Sequence, residues 1–309
     1  MSGTEGAHLL AEIVFNGALS QLWPMLLLPW LAAAISDRAA RLLPPTRANW
    51  RVAAALAAFP GLVMLTLIGM VIGRAAFHLH ADGAGHFFKY HGPLILAVAL
   101  LANAARRARR RRNALRQLTR LAHRPSPRLR RAAAAASIEV LELPHDDCEC
   151  FVAGMLKPVA FVSTGTVSRM SDSELVAALH HERAHAAARD PAMLAILCFL
   201  ADLAPGTDRA LTAYRQARER LADREAARHV GACILASALL AVARPSPRTH
   251  AVVGMAGSGA GTWRLQALLG VEPEPAAAPR LALSSCVAVN AGLTIWPLPH
   301  VYAAYLLCC

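Results

Sequence analysis

The sequence predicts a mainly α-helical membrane protein with about four transmembrane helices and a cytoplasmic α+β domain inserted between the third and the fourth. Three observations indicate this class. Hydrophobic residues make up 56% of the 309 residues and charged residues only 17%, a balance that is unusual for a water-soluble protein. The apolar residues collect in long uncharged runs. A more polar segment with both strand and helix patterns separates the third run from the fourth.

Four apolar runs are predicted to cross the membrane. Residues 13–35 and 52–73 are each long enough to cross a hydrocarbon core of about 30 Å at about 1.5 Å per residue. The run at residues 91–105 is shorter and depends on the aromatic residues before it. Residues 281–309 contain no Asp, Glu, Lys or Arg. We therefore expect a three-span region at residues 1–105 and a fourth transmembrane helix at residues 281–309.

The net charge of +12 is concentrated in one segment. Residues 106–131 contain twelve arginines and no acidic residue, which equals the whole excess. Because arginines that follow a membrane helix favour the cytoplasmic side, we predict a basic juxtamembrane segment rather than a nucleic-acid-binding arm. The sequence thus predicts an integral protein of the cell (inner) membrane with residues 132–280 in the cytoplasm. Membrane lipid is an expected partner, and nucleic acid is not.

The cytoplasmic segment is predicted to combine short strands with helices. Residues 137–143 and 159–164 have strand patterns, and turn-forming residues lie between them. Ser171 and Glu174 then form an S-x-x-E capping box. This pattern predicts a helix that begins there and continues until Asp190, where the next helix begins.

The first of these helices carries the sequence HHERAH at residues 180–185. Residues four apart share a helix face, so His181 and His185 can present two imidazoles to one metal ion. Glu182 lies one step round the helix, where a carboxylate can act as a general base without binding the ion. His180 points about 100° away from His181 and is expected to be an ordinary histidine.

Two acidic residues further along the chain are spaced to complete such a site. Glu219 lies 34 residues after His185, and Asp223 follows one helical turn later. A glutamate on a second helix suits a third zinc ligand, and an aspartate beside it can orient an imidazole through its other nitrogen. The alternative is that Glu219 and Asp223 form surface pairs with neighbouring arginines.

Three blocks of the sequence resemble BlaR/MecR-type integral membrane metallopeptidases. The blocks are GMLKPVAFVSTG at 154–165, SDSELVAALHHERAHAAARDP at 171–191 and RERLADREAA at 218–227. They are more distantly similar to the HtpX and CAAX-prenyl-protease group. The resemblance covers residues 106 to about 270. Antibiotic-sensing members carry a penicillin-binding sensor domain after the last span, and we expect none here because the sequence ends at Cys309.

The resemblance implies a zinc metalloendopeptidase with a gluzincin fold. It implies that Zn²⁺ is bound by His181, His185 and Glu219, that Glu182 is the general base and that Asp223 supports the site. It also implies that an edge strand, expected at residues 159–164, pairs with an extended protein substrate.

The same resemblance implies a role in signal transduction. The expected substrate is a cytoplasmic protein such as a winged-helix transcriptional repressor, or the protease itself. Two alternatives stay open: an HtpX-like membrane quality-control protease, and a non-catalytic membrane scaffold or receptor with a vestigial metal site. A homodimer is also left open.

His229 and the histidines of the predicted outer loop each have two possible roles. His229 could stabilise an oxyanion, although an ordinary structural role is favoured. The predicted outer loop at residues 74–92 is dense enough in histidine for a metal or pH sensor, although scattered interfacial histidines are the favoured interpretation. Its four histidines are His78, His80, His86 and His91.

Overall fold

The structure is a computed structural model that describes the backbone of most of the chain. The described residues are 20–41, 50–77, 84–204, 206–243, 259–269, 288, 289 and 292. Nearly all of the predicted fourth transmembrane helix at 281–309 lies outside them. The side chains of the four outer-loop histidines lie outside the described residues as well.

The described part of the chain is mainly helical, with one small sheet. Three long helices come first: α1 (Ser20–Arg41), α2 (Trp50–Phe77) and α3 (Ala84–Leu121). Helix α4 (Pro127–Ala136) leads into strands β1 (Val140–Leu143), β2 (Cys150–Ala153) and β3 (Val159–Ser163). The remaining described helices are α5 (Thr164–Arg169), α6 (Asp172–Ala187), α7 (Asp190–Leu203), α8 (Asp208–Val230), α9 (Ala232–Ala243) and α10 (Gly259–Leu268).

Helix α2 is long and apolar enough to cross a membrane. The qualifying segment is Trp50–Gly73, half of which is buried inside the protein, and no other described helix reaches the same length and apolarity. The predicted spans at 13–35 and 91–105 fall largely on α1 and α3. The four-span topology therefore stays a prediction.

Helix α3 continues without a break from the apolar run into the arginine-rich segment. Two of its arginines bind Asp202 near the end of α7. The nitrogen–oxygen distances are 3.4 Å from Arg107 and 2.7 Å from Arg111, and the Asp202 side chain is only 6% exposed. These ion pairs hold the first part of the arginine-rich segment against α7.

The first three helices and α7 share an apolar core. Its buried residues include Ala32, Val63, Leu67, Ala97, Leu200 and Leu203. The closest approach is at Gly61 of α2, where a Cβ atom would lie only 2.4 Å from the carbonyl oxygen of Leu200. The absence of a side chain at this position lets α2 pack directly on the backbone of α7.

The sheet has the strand order β1-β3-β2. Strand β3 pairs with β1 in parallel and with β2 in antiparallel orientation. The prediction that residues 159–164 form an edge strand is therefore wrong, because β3 has a hydrogen-bonded neighbour on each side. The sequence pattern missed β2, whose four residues lie in a segment rich in turn formers. The edge next to the histidine-bearing helix belongs to β2.

The sheet, α4, α6 and α9 enclose a second core. Its fully buried members include Leu129, Ala160, Val162, Leu175, Leu179 and Leu235. Helix α6 begins as predicted, since the Ser171 side chain accepts a hydrogen bond from the backbone N–H of Glu174 and the Glu174 carboxylate accepts one from Ser171. Arg189, in a left-handed conformation with φ of 55°, separates α6 from α7. The capping box and the predicted change of helix at Asp190 are thus confirmed.

Candidate active site

Two packed helices bring the predicted metal-binding side chains together. Helix α6 carries His181 and His185 one turn apart, and α8 carries Glu219 opposite them. Their coordinating atoms all lie within 4.8 Å of one another, so the three side chains could hold one metal ion. Among the described residues this is the only such group of three or more His, Cys, Asp or Glu side chains.

The distances within this triad suit a small tetrahedral ion. The Nε2 atoms of His181 and His185 are 3.1 Å apart. Each Nε2 lies 3.4 Å from one carboxylate oxygen of Glu219. Ligands at about 2.0–2.1 Å from a tetrahedral Zn²⁺ are separated by about 3.3–3.4 Å. Two imidazoles and one glutamate are also a ligand set that catalytic zinc sites use.

An aspartate lies behind each histidine. Asp223 Oδ1 is 2.9 Å from Nδ1 of His181, and Asp190 Oδ2 is 2.7 Å from Nδ1 of His185. A carboxylate at Nδ1 keeps the proton there and leaves the Nε2 lone pair free to bind a metal. The sequence analysis expected Asp223 in this role but treated Asp190 only as the boundary between two helices.

An arginine lies behind each aspartate. Arg218 Nε is 2.7 Å from Asp190 Oδ1. Arg264 of α10 donates to both oxygens of Asp223 at 2.8 and 2.6 Å, and its Nη1 lies 2.9 Å from Glu219 Oε2. Both histidines are therefore held by a carboxylate that is itself held by a guanidinium group.

The hydrogen bonds of the triad shift the pKa values of its members away from their ordinary values. Burial alone would raise the pKa of Glu219, but hydrogen bonds from His181 and His185 outweigh it and hold this pKa well below its usual range. Burial alone would lower the pKa of His185, but its hydrogen bonds with Asp190 and Glu219 raise it to about 10. The cluster therefore favours positive charge beside the Glu219 carboxylate.

Glu182 reaches the same cavity but is not a member of the triad. Glu182 is only 7% exposed, and burial raises the pKa of its carboxyl above the ordinary value. The backbone N–H of Val152, in β2, lies near this carboxylate and offsets part of that rise in pKa. A carboxylate with a raised pKa beside a metal-binding triad is suited to accept and return a proton near neutral pH.

A cavity of about 310 Å³ opens onto the triad and Glu182. One wall is strand β2, through Cys150, Phe151 and Val152. Helices α7 and α9 also line the cavity, through apolar residues that include Leu194, Leu235, Leu239 and Val242. A strand edge without a pairing strand among the described residues, beside an apolar cleft, is suited to an extended polypeptide.

Residues 105–243 match the family model of Peptidase family M48. The match covers the sheet, α6 with its two histidines and α8 with Glu219, and it supports a zinc metallopeptidase of family M48. M48 peptidases are metalloproteases that are generally zinc-dependent, and many are membrane-associated. The match does not confirm the finer BlaR/MecR-type assignment. No curated protein and no solved structure matches the chain.

Two histidines near the candidate metal-binding triad do not take part in it. His180 is 8% exposed, and its ring stacks on that of His229 with a centroid distance of 4.5 Å. His229 also lies 3.5 Å from a carboxylate oxygen of Glu225. Neither histidine lines the cavity. The stacked pair accounts for both residues structurally, in line with the favoured interpretation of each.

Three parts of the site were missed by the sequence analysis. Strand β2 gave no alternating pattern that is long enough to recognise. Asp190 is spaced five residues after His185, which could have indicated a partner for that ring. Arg264 follows a glycine-rich stretch at residues 254–261, and it lies outside the residues that match family M48. No local signal in the sequence marks Arg264.

Proposed function

We propose that the protein is a membrane-embedded zinc endopeptidase in which His181, His185 and Glu219 bind the metal and Glu182 is the general base. The observation that carries the proposal is the convergence of two imidazoles and one carboxylate, 3.1–3.4 Å apart, beside a second, buried carboxylate. A purely structural site would not need Glu182. The match with Peptidase family M48 supports the same chemistry.

The chain supplies the proton transfers and the orientation of the ligands. Zinc, when bound, supplies a Lewis acid that polarises the scissile carbonyl and makes water more acidic. Glu182 accepts a proton from the attacking water and returns it to the leaving amine. Asp223 and Asp190 keep the two rings in the orientation that presents Nε2 to the metal.

The proposed substrate is an extended segment of a cytoplasmic protein that pairs with the outer edge of β2. Strand addition fits because, among the described residues, β2 pairs with β3 alone, and three residues of β2 line the cavity. The BlaR/MecR-type resemblance supports a winged-helix repressor, or a second copy of this chain, as that protein. It also supports signal transduction as the role, with α2 and the arginine-rich part of α3 at the inner membrane.

Metal content tests the ligand set. The full chain is purified in detergent, and its zinc is measured by mass spectrometry beside His181→Ala and Glu219→Ala. Glu225→Gln is the control, since Glu225 lies on the same helix as Glu219 but pairs with Arg228. One zinc per chain in wild type and control, lost in both ligand variants, is the expected result. Zinc retained without Glu219 would exclude that residue as the third ligand.

Cleavage of unfolded casein tests the base. Glu182→Gln keeps the shape of the side chain and removes its ability to accept a proton. We expect this variant to bind one zinc and to lose peptide hydrolysis, whereas Glu225→Gln retains both. Normal hydrolysis by Glu182→Gln would disprove the assignment.

A further inference from the structure

Arg264 contacts both carboxylates of α8 that serve the proposed zinc site. Its Nε and Nη2 bind the two oxygens of Asp223 at 2.8 and 2.6 Å, and its Nη1 lies 2.9 Å from Glu219 Oε2. The Arg264 side chain is only 17% exposed. A single guanidinium group thus uses three nitrogens on two acidic residues of the site.

We propose that Arg264 is a positioning residue for zinc: it fixes Glu219 and Asp223 so that one oxygen of Glu219 and the Nε2 of His181 face the metal. The proposal deepens the proposed function and rests on it. It assigns α10, which lies outside the M48 match, to the active site.

The geometry of the guanidinium group explains how it sets Glu219. The group is planar, and its donors point in fixed directions, so two bonds to Asp223 determine where the third donor points. That donor holds Oε2 of Glu219. The other oxygen, Oε1, faces His185 and lies 3.4 Å from Nε2 of that residue. Arg264 therefore selects one rotation of the Glu219 carboxylate.

The same contact determines the orientation of His181. Asp223 Oδ1 accepts from Arg264 Nη2 at 2.6 Å and lies 2.9 Å from Nδ1 of His181. Asp223 is 4% exposed, so water offers little replacement for a lost partner. Without Arg264 the carboxylates of Asp223 and Glu219, one turn apart on α8, would repel each other and turn away from the rings.

A positive charge near a metal could instead weaken its binding. Arg264 Nη2 lies 3.5 Å from both ring nitrogens of His181, so a blocking role predicts that removal of Arg264 strengthens zinc binding. Positioning predicts the opposite sign. The two possibilities are therefore separated by one measurement.

The experiment measures the zinc dissociation constant of the full chain in detergent by competition with a fluorescent chelator. The variants are Arg264→Met, which removes the charge and the guanidinium donors, and Arg264→Lys, which keeps the charge but not the planar set of donors. Arg215→Met is the matched control: Arg215 lines the same cavity, and within the described residues it makes no ion pair with either carboxylate. Thermal unfolding without metal identifies any variant that fails to fold.

We expect zinc binding to weaken by about 10- to 100-fold in Arg264→Met, to weaken also in Arg264→Lys, and to stay within about twofold in Arg215→Met. Equal or tighter binding by Arg264→Met would overturn the inference. A wild type that binds no zinc would instead defeat the proposed function.

A double-mutant cycle between Arg264→Lys and Asp223→Asn keeps the inference testable if Arg264→Met proves unstable. If Arg264 acts through Asp223, the loss of zinc-binding free energy in the double variant is smaller than the sum of the losses in the two single variants. Losses that add would mean that Arg264 acts independently of Asp223 and would contradict the proposed mechanism. The visible spectrum of the Co²⁺-loaded Arg264→Lys protein gives a further readout, since a changed ligand geometry alters it and a stability defect alone does not.

Discussion

Oδ2 of Asp190 lies 2.7 Å from Nδ1 of His185. The other oxygen of the same carboxylate is 2.7 Å from Nε of Arg218. The guanidinium carbon of Arg218 lies 5.4 Å from the ring centre of Trp50, the first residue of α2. The orientation of a proposed zinc ligand is thus connected, through two side chains, to the helix that is apolar enough to cross a membrane.

Asp190→Asn is expected to weaken zinc binding by about tenfold or more. The amide cannot hold the Nδ1 proton of His185 as a carboxylate does, and it leaves the guanidinium group of Arg218 without its charged partner. Chelator competition on the detergent-solubilised protein measures the effect.

Asp208→Asn is the matched control for this prediction. Asp208 is also the first residue of a helix, but it is exposed and lies eleven residues before Glu219 on α8. Equal zinc affinities for the Asp190 and Asp208 variants would show that Asp190 does not hold the ring.

Val152→Pro is expected to reduce peptide hydrolysis by about tenfold or more while zinc binding is retained. Proline has no backbone N–H, so the variant loses the donor that β2 places near the Glu182 carboxylate. An edge strand tolerates proline where its N–H faces outward. Casein cleavage at saturating zinc is the measurement.

Val152→Ala separates the backbone from the side chain. It keeps the N–H and shortens only the side chain, so hydrolysis should remain close to that of wild type. A proline variant that cleaves casein as fast as the alanine variant would show that hydrolysis does not need the Val152 N–H.

The parts of the site that could be predicted from the sequence are those that depend on local spacing. His181, Glu182 and His185 lie within five positions on one helix, and the capping box at Ser171 marks where that helix begins. Glu219 and Asp223 are one turn apart on another helix. In each case the 3.6-residue period determines which side chains share a face.

The remaining parts depend on contacts between distant segments. Strand β2 has four residues, and only pairing with β3 distinguishes it from a loop. Arg264 is 41 positions from Asp223 in the chain, and no periodicity relates the two. The Gly61 contact with Leu200 likewise exists only because α2 and α7 pack side by side.

Zinc is expected to raise the melting temperature of the wild-type protein. A ligand that binds only the folded state at about 100 times its dissociation constant adds about 2.7 kcal/mol to the free energy of unfolding. Scanning fluorimetry in detergent, with zinc and after chelation, measures the shift. Magnesium is the control ion, because it prefers octahedral oxygen ligands over imidazole. An identical zinc shift in Glu219→Ala would show that the stabilising ion binds elsewhere.

Gly61→Ala is expected to destabilise the packing of α2 on α7. A Cβ at this position would lie 2.4 Å from the carbonyl oxygen and 2.6 Å from the Cβ of Leu200. Because backbone atoms cannot move aside as a flexible side chain can, the two helices must separate, at a cost of about 1–3 kcal/mol. Gly69→Ala is the control: it lies on the same helix with nothing within 4 Å of its Cβ, and alanine is the better helix former by about 1 kcal/mol. The melting temperature should fall for Gly61→Ala and stay level or rise for Gly69→Ala.

Because α7 begins at Asp190, a separation of α2 from α7 should also weaken zinc binding in the Gly61 variant alone. Equal melting temperatures for the two variants would show that α2 does not pack on α7 in this way.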